Sequence, residues 1–307
     1  MSDLTAADLV RAARRHGFEL MPAGRDVDAT GADFIVAHAV DLDDVAWIVK
    51  VPRRADVMVR ADAERRVLRL LRERLTVAVP DWRLFAPDVI AYPRVPGEPA
   101  AVIDPDLGDW RWRFDPGAPP QAFLDSLARF LAQLHGIDVD EARAAGVRVL
   151  DPRSLRAATA ECIERARNGL DVPDPLWRRW HDWVADDGVW PDVHVLVHGD
   201  LHGAHLLVDD DNAISGVLDW SETHVGDPAT DFALLYPSLG DAALASLLDA
   251  YGAAGGRTWP GMARHVVERW LAYPAVIADF ARMTGDDQPM QLAQALVDEA
   301  MRRVADV

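Results

Sequence analysis

The chain has 307 residues, half of them apolar, enough for one large domain or two packed ones with a sizeable core. Its formal charge of −18 argues against a phosphate-backbone partner, and the single cysteine, Cys162, excludes an internal disulfide and a multi-cysteine zinc cluster. The N-terminus has no signal-like apolar stretch and no run reaches membrane-spanning length, so the expectation is a soluble, cytoplasmic monomer with no nucleic-acid or membrane partner. The acidic balance suits a cationic ligand, although solubility alone accounts for it.

Residues 3–16 have helical apolar spacing, with Ser2 or Asp3 as the expected cap. Two β-rich runs, 33–40 and 45–51, flank DLDD and read as an antiparallel hairpin. Residues 60–74 form a helix pattern with Val67, Leu68, Leu70 and Leu71 on its stripe, and 88–92 a short strand. The Pro/Gly-rich continuation of DVIAYPRVPGEP marks a connector. It divides the chain into residues 1–92, a hinge at 93–97, and residues 98–307. Helix patterns follow at 120–135, 154–168, 174–186, 241–253, 260–283 and 289–304. Among them lies a second hairpin, LLV and ISGVLDW around DDDNA. The class is α+β, with a small sheet-and-helix part followed by a larger, mainly helical one.

Of the 32 basic residues 31 are arginine, and Lys50 is the only lysine. It ends AWIVKV on an expected central strand. Glu64 has Val67, Leu68 and Leu71 at +3, +4 and +7, which puts its carboxylate on the buried stripe of the next helix, where it is costly unless paired. Lys50 is the natural partner. The pair reads either as a structural ion pair or as a lysine held for nucleotide phosphates.

The stretch VHGDLHGAHLLVD (197–209) gathers His198, Asp200, His202 and His205. A zinc hydrolase reading is weakened because Gly199-Asp200 signals a turn and no glutamate follows the first histidine as in HExxH. Phosphoryl transfer explains more of it. A loop aspartate after a strand, Asp200, can orient a hydroxyl and accept its proton, while His205 and Asp219, returned by the hairpin, can hold Mg²⁺. Histidine is an unusual ligand for that ion.

HGDLHGAHLLV followed by GVLDW and GDPATDFA resembles the signature of the aminoglycoside-phosphotransferase-like kinases. His205, DWSE (219–222) and AYPRVPGEP (91–99) are more similar to the macrolide 2′-phosphotransferases, and the likeness runs from ADFIVAHAVD through WIVKVPRR and VPDW to YGAAGGRTWP. The resemblance implies a bilobal protein-kinase-like fold and transfer of phosphate from GTP, or ATP, with Mg²⁺, to a macrolide, giving antibiotic resistance. It makes Asp200 the base and Asp219 and His205 metal ligands. It sets Lys50, supported by Glu64, on the α/β-phosphates and makes the backbone around Ala91, Tyr92 and Val95 the purine-reading hinge. Asp231 would brace the catalytic loop or, more plainly, cap a helix, and His198 and His202 would be loop scaffolding.

Three departures stand out. DATGADF (28–34) holds only Gly31 where a glycine-rich loop is usual, Trp220 follows Asp219 in place of Phe-Gly, and His205 replaces the usual asparagine. In RWLAYPAVIADFARM (269–283), Trp270, Tyr273, Pro274, Ile277 and Phe280 offer an apolar acceptor wall or simply helix core, with Pro274 expected to kink the helix. The alternatives are an aminoglycoside or other small-molecule hydroxyl kinase, a kinase-like binding protein without turnover, and the zinc hydrolase.

Overall fold

The computed structural model describes residues 4–29, 31, 33–104, 109–285 and 287–305. Helix α1 (Ala6–Arg15) starts at Thr5. Thr5 Oγ1 accepts the Asp8 N–H at 3.3 Å, and the Asp8 carboxylate accepts the Thr5 N–H at 3.0 Å. This reciprocal capping box displaces the expected start to Thr5; Ser2 and Asp3 lie outside the described residues. Strands β1 (Met21–Pro22), β2 (Phe34–Val40) and β3 (Ala46–Pro52), helix α2 (Val57–Arg74), and strands β4 (Leu84–Ala86) and β5 (Val89–Pro93) complete the first part. The five strands form one antiparallel sheet in the order β1-β2-β3-β5-β4.

The expected hairpin is β2–β3, with Asp44 at φ 59° in its turn. Alternate residues Ile35, Ala37 and Ala39 of β2 are buried, as a period of two requires, and they share a core with Leu9, Val10 and Ala13 of α1. Helix α2 begins three residues before its expected start, and Ala61, Val67, Leu68 and Leu71 are its buried stripe.

The second part contains β6 (Glu98–Pro99), β7 (Ala101–Asp104), β8 (Asp109–Trp112), α3 (Gln121–His135), α4 (Val139–Ala144), β9 (Arg148–Val149), α5 (Pro152–Ala166) and α6 (Asp174–Ala185). Then come β10 (Val195–Val197), β11 (Leu206–Val208), β12 (Ile214–Val217), β13 (His224–Gly226), α7 (Thr230–Ala233), α8 (Tyr236–Ala253), α9 (Met262–Leu271), α10 (Tyr273–Thr284) and α11 (Asp287–Ala305). Its core is built on large buried side chains, including Phe123, Phe130, Trp180, Trp183, Trp220 and Phe232.

Two helix expectations are corrected. The single helix 260–283 is two, because Pro274 has no N–H to give and occupies the first turn of a new helix, α10, instead of bending an old one. Helix α8 is interrupted at Gly240, φ 72°, so the pattern from 241 corresponds to the stretch after that break.

Strand β6, just past the connector, pairs with β11, and β11 pairs with β12. From the other side, Ala78 bonds to the same hairpin through Ala78 N–H to Ser215 O (3.0 Å) and Val217 N–H to Ala78 O (2.9 Å). The β11–β12 hairpin is thereby stitched to the sheet-bearing part as well as to the helical one. Among the described residues no helix is long and apolar enough to cross a membrane.

Candidate active site

Strand β10 delivers His198, Gly199 and Asp200 into a sharp turn. Gly199 has φ +91°, and a side chain there would collide with the Glu222 carbonyl, so this turn requires glycine. Asp231, fully buried in the first turn of α7, accepts the N–H groups of His198 and Gly199 at 2.9 Å each. The N-cap of α7 is Ala229, so Asp231 does not cap it. His135 Nε2 lies 3.1 Å from Asp231, and His135 Nδ1 lies 2.8 Å from the Tyr251 hydroxyl. Burial works against the Asp231 charge, but His135 and these N–H groups outweigh it and hold its pKa down. His135 was not foreseen; a single histidine ending a helix pattern carries no local signal.

The three histidines of the loop have distinct states. His198 is buried, with Nε2 donating to Leu218 O (2.9 Å) and Nδ1 accepting the Asp200 N–H (3.2 Å). Burial pushes its pKa down to about 4, and with both nitrogens engaged it has no electron pair left for a metal. His202 Nδ1 accepts the Ala204 N–H (3.3 Å), which leaves Nε2 carrying the proton, 3.8 Å from Asp200 Oδ2. Its pKa is pushed down to about 3 by burial and by the neighbouring His205 and His198. His205 Nδ1 lies 2.9 Å from the Asp200 carbonyl. A carbonyl can only accept, so Nδ1 donates there, and Nε2 is the nitrogen turned to Asp219, 3.7 Å from its Oδ2.

Asp219 follows β12 at φ +59°, and its Oδ1 accepts the Ser221 hydroxyl at 2.8 Å. Burial opposes its charge, but His205 and Lys50 outweigh this and lower its pKa. The Asp200 pKa is raised, chiefly by burial, with His205 opposing and Asp219 and Glu222 adding to the rise. The nearest imidazole nitrogens stand 3.8 Å away, so the Asp200 carboxylate keeps electron pairs open for a hydroxyl. Asp200, His202 and His205 bring donor atoms within 4.8 Å of one another, a set that could hold a metal ion among the described residues. Both rings, however, turn a protonated nitrogen toward Asp200, which is not how ligands face an ion.

On the sheet side, Lys50 of β3 pairs in register with Val36 and Ile90. Its ammonium lies 5.5 Å from the Phe34 ring centre and 5.8 Å from that of Tyr92. Among the described residues it forms no ion pair within 4.0 Å, which corrects the expected salt bridge with Glu64. Glu64 Oε1 instead accepts the Trp220 N–H at 3.4 Å, which ties α2 to the residue after Asp219. Glu64 is pushed up to about 7 by burial, with Lys50 pulling the other way. Burial opposes the Lys50 charge as well, but Tyr92, Glu64 and Asp219 raise its pKa. Lys50 is thus held by the Tyr92 phenol and by the charges of Glu64 and Asp219.

Ala91, Tyr92 and Val95 are buried on and just beyond β5. Tyr92 and Val95 share an apolar cluster with Ile90, Ala61 and Leu207, so both parts of the chain contribute to it. In the segment 28–34, Thr30 and Ala32 lie outside the described residues, and the Gly31 carbonyl accepts Arg53 Nε–H at 2.9 Å. The five expected acceptor-wall residues do not stay together. Trp270 is buried, packed on Tyr236 at 5.8 Å, and cannot face a ligand. Pro274 is also buried, Ile277 leans on the helical core, and Phe280 is exposed. Only Tyr273 is close to the loop. Its phenol pKa is raised by burial and by the negative charges of Asp200 and Glu222.

The solved apoenzyme of macrolide 2′-phosphotransferase MphH from Brachybacterium faecium is similar, with 38% identity, a TM-score of 0.87, and coverage of 95% of this chain and 97% of that one. Macrolide 2′-phosphotransferase type I follows at 37% identity and TM-score 0.86, with coverage of 97% and 99%. The GDP complex of wild-type aminoglycoside 2′-phosphotransferase-IIIa, at 17% identity and TM-score 0.67 over 93% of each chain, shares the fold. A curated relative, the uncharacterized protein YcbJ of Bacillus subtilis (strain 168), is 41% identical over 286 residues, 93% of this chain and 94% of its own. The family model described as "Phosphotransferase enzyme family" matches residues 28–265. With most of its length matched and the braced aspartate loop in place, this chain belongs to the phosphotransferase enzyme family.

Proposed function

We propose that this protein transfers the γ-phosphoryl group of GTP, with ATP as the alternative donor, to the desosamine 2′-hydroxyl of macrolide antibiotics, and so confers resistance. The observation that carries the reading is the near-full-length likeness, at 37–38% identity, to two macrolide 2′-phosphotransferases, on a chain whose Asp200 stands open beside the His205–Asp219 pair. The protein acts as a cytoplasmic monomer in two lobes, 1–92 and 98–307, joined by the hinge 93–97. Nucleic acid and membrane have no part in it.

Asp200 orients the acceptor hydroxyl and takes its proton as the oxygen attacks the γ-phosphorus and the bond to the β–γ bridging oxygen breaks. The transition state of such transfers is loose, so the chain gains rate mainly by positioning. The buried bonds from Asp231 to the loop serve that positioning. Lys50 is charged and has no ion-pair partner within 4.0 Å among the described residues, so it can turn to the α/β-phosphates. The backbone from Ala91 to Val95 reads the purine edge, beside the apolar cluster of Tyr92, Val95 and Leu207.

The donor chemistry present suits a divalent cation: the His205 Nε2 atom and the Asp219 carboxylate, whose pKa is lowered, face each other at 3.7 Å in the cleft. His205 and Asp219 would hold it, and bound there it would neutralise phosphate charge. Purified protein with Mg²⁺, GTP or ATP, and a panel of macrolides and aminoglycosides, read by mass spectrometry, tests the reading. One added phosphate on macrolides alone is expected; phosphate on aminoglycosides only, or on nothing, would overturn it.

A further inference from the structure

The hairpin of β7 and β8 forms a wall of the cleft with no role in the reaction so far. Its base is bonded to the catalytic loop segment, Ala101 N–H to Gly203 O at 3.0 Å and Ala100 N–H to Leu206 O at 2.7 Å. A side chain at Gly203 would collide with Ala101 and the Trp112 indole, so glycine allows the hairpin to lie directly on the loop. Trp112 packs on Phe114 and Phe123, with ring centres 5.5 and 6.2 Å away, and so anchors β8 to α3. The hairpin is a fixed wall.

Residues two apart on a strand share a face, so Trp110 is presented on the same side as Trp112. Its half-buried indole lies 5.1 Å from the His202 ring, and His202 Nε2 lies 3.8 Å from Asp200 Oδ2. Trp110 therefore stands one imidazole's width from the proposed base. Its cross-strand partner Ile103, which shares that face, is 62% exposed. Beside Asp200 itself, Asp219 and Glu222 add negative charge to this cleft, with His205 opposing them. A ligand whose hydroxyl reaches Asp200 thus brings the neighbouring group on that ring against an indole in a negative field. A methylated ammonium suits this place: its charge is attracted by the ring face and its methyl groups make apolar contact, whereas a primary ammonium is strongly hydrated.

We propose that Trp110 is a specificity-determining residue, an acceptor platform whose indole face receives the dimethylammonium group beside the reacting hydroxyl. Ile103 extends that platform under the apolar part of the same ligand. The assignment rests on the macrolide reading and names the residue that recognises the amino sugar.

The test compares wild type, Trp110→Ala and Trp110→Phe on erythromycin and on its N-oxide, which differs by one oxygen on the amino nitrogen and carries no net charge there. Trp110→Ala is expected to raise KM for erythromycin about tenfold while KM for GTP stays within about twofold. Trp110→Phe, which keeps a ring face, should restore KM to within about threefold of wild type. The N-oxide should be a poor acceptor for the wild type, and Trp110→Ala should worsen it no further. Equal losses on both acceptors, or no loss on erythromycin, would overturn the platform while leaving the functional reading intact. Failure of the wild type to phosphorylate erythromycin at all would overturn both.

Discussion

The two sides of the cleft are held in different ways. The Asp200 loop is fixed by short, buried, directional bonds: two N–H groups on Asp231, His135 behind it, and His198 locked at both nitrogens. Lys50 and Glu64, by contrast, influence each other without closing an ion pair, and Glu64 spends its oxygen on the Trp220 N–H. A base must meet its hydroxyl at one distance and angle, so rigidity there is useful. A lysine that follows phosphates gains from staying unpaired until the nucleotide arrives.

The largest effect should come where the two sides meet. Asp219→Ala removes the carboxylate facing both His205 and Lys50, and kcat should fall roughly 100- to 1000-fold with little change in Tm; retained turnover would separate Asp219 from the chemistry. Asp231→Ala should damage fold and rate together. It orphans two buried N–H groups and His135, at about 3 kcal/mol in chemical denaturation, and it loosens the base. If activity fell with no loss of stability, the rigid side would not be held as described.

Lys50→Ala should do the reverse, raising KM for the nucleotide while changing stability by about 1 kcal/mol or less, since no ion pair is lost. A large drop in Tm would mean that Lys50 is structural after all. The smallest effect concerns pH. Buried Asp227 is bonded to His265 (2.7 Å) and Arg269 (3.0 Å), which outweigh its burial and hold its pKa well below the usual carboxylate range. Its folded pKa lies below the unfolded one, so its stabilisation is present above the ordinary aspartate value of 3.8 and is lost as pH falls through it toward the folded value. Asp227→Asn should therefore be less stable at pH 7 and show a flatter loss toward acid, measured as Tm against pH.

The long periodic elements were legible in the sequence because α2, α3 and β2 bury regular faces. Strands of two to four residues, such as β6, β9 and β13, are too short to show alternation, and only tertiary pairing creates them. The loop aspartate, the hairpin returning Asp219 and the isolated lysine were likewise visible in order and spacing. What escaped is what folding brings from afar: His135 behind Asp231, the Trp220 N–H on Glu64, and the burial of Trp270 against Tyr236. An apolar run does not say which of its faces meets the core.

The most direct test of the central claim is the transfer rate of Asp200→Asn beside that of wild type, followed by mass spectrometry of the macrolide. With Asp200 as the base, the wild type adds one phosphate, and the variant does so on the order of 100 to 10,000 times more slowly at unchanged Tm. Transfer by the folded variant at the wild-type rate would contradict it.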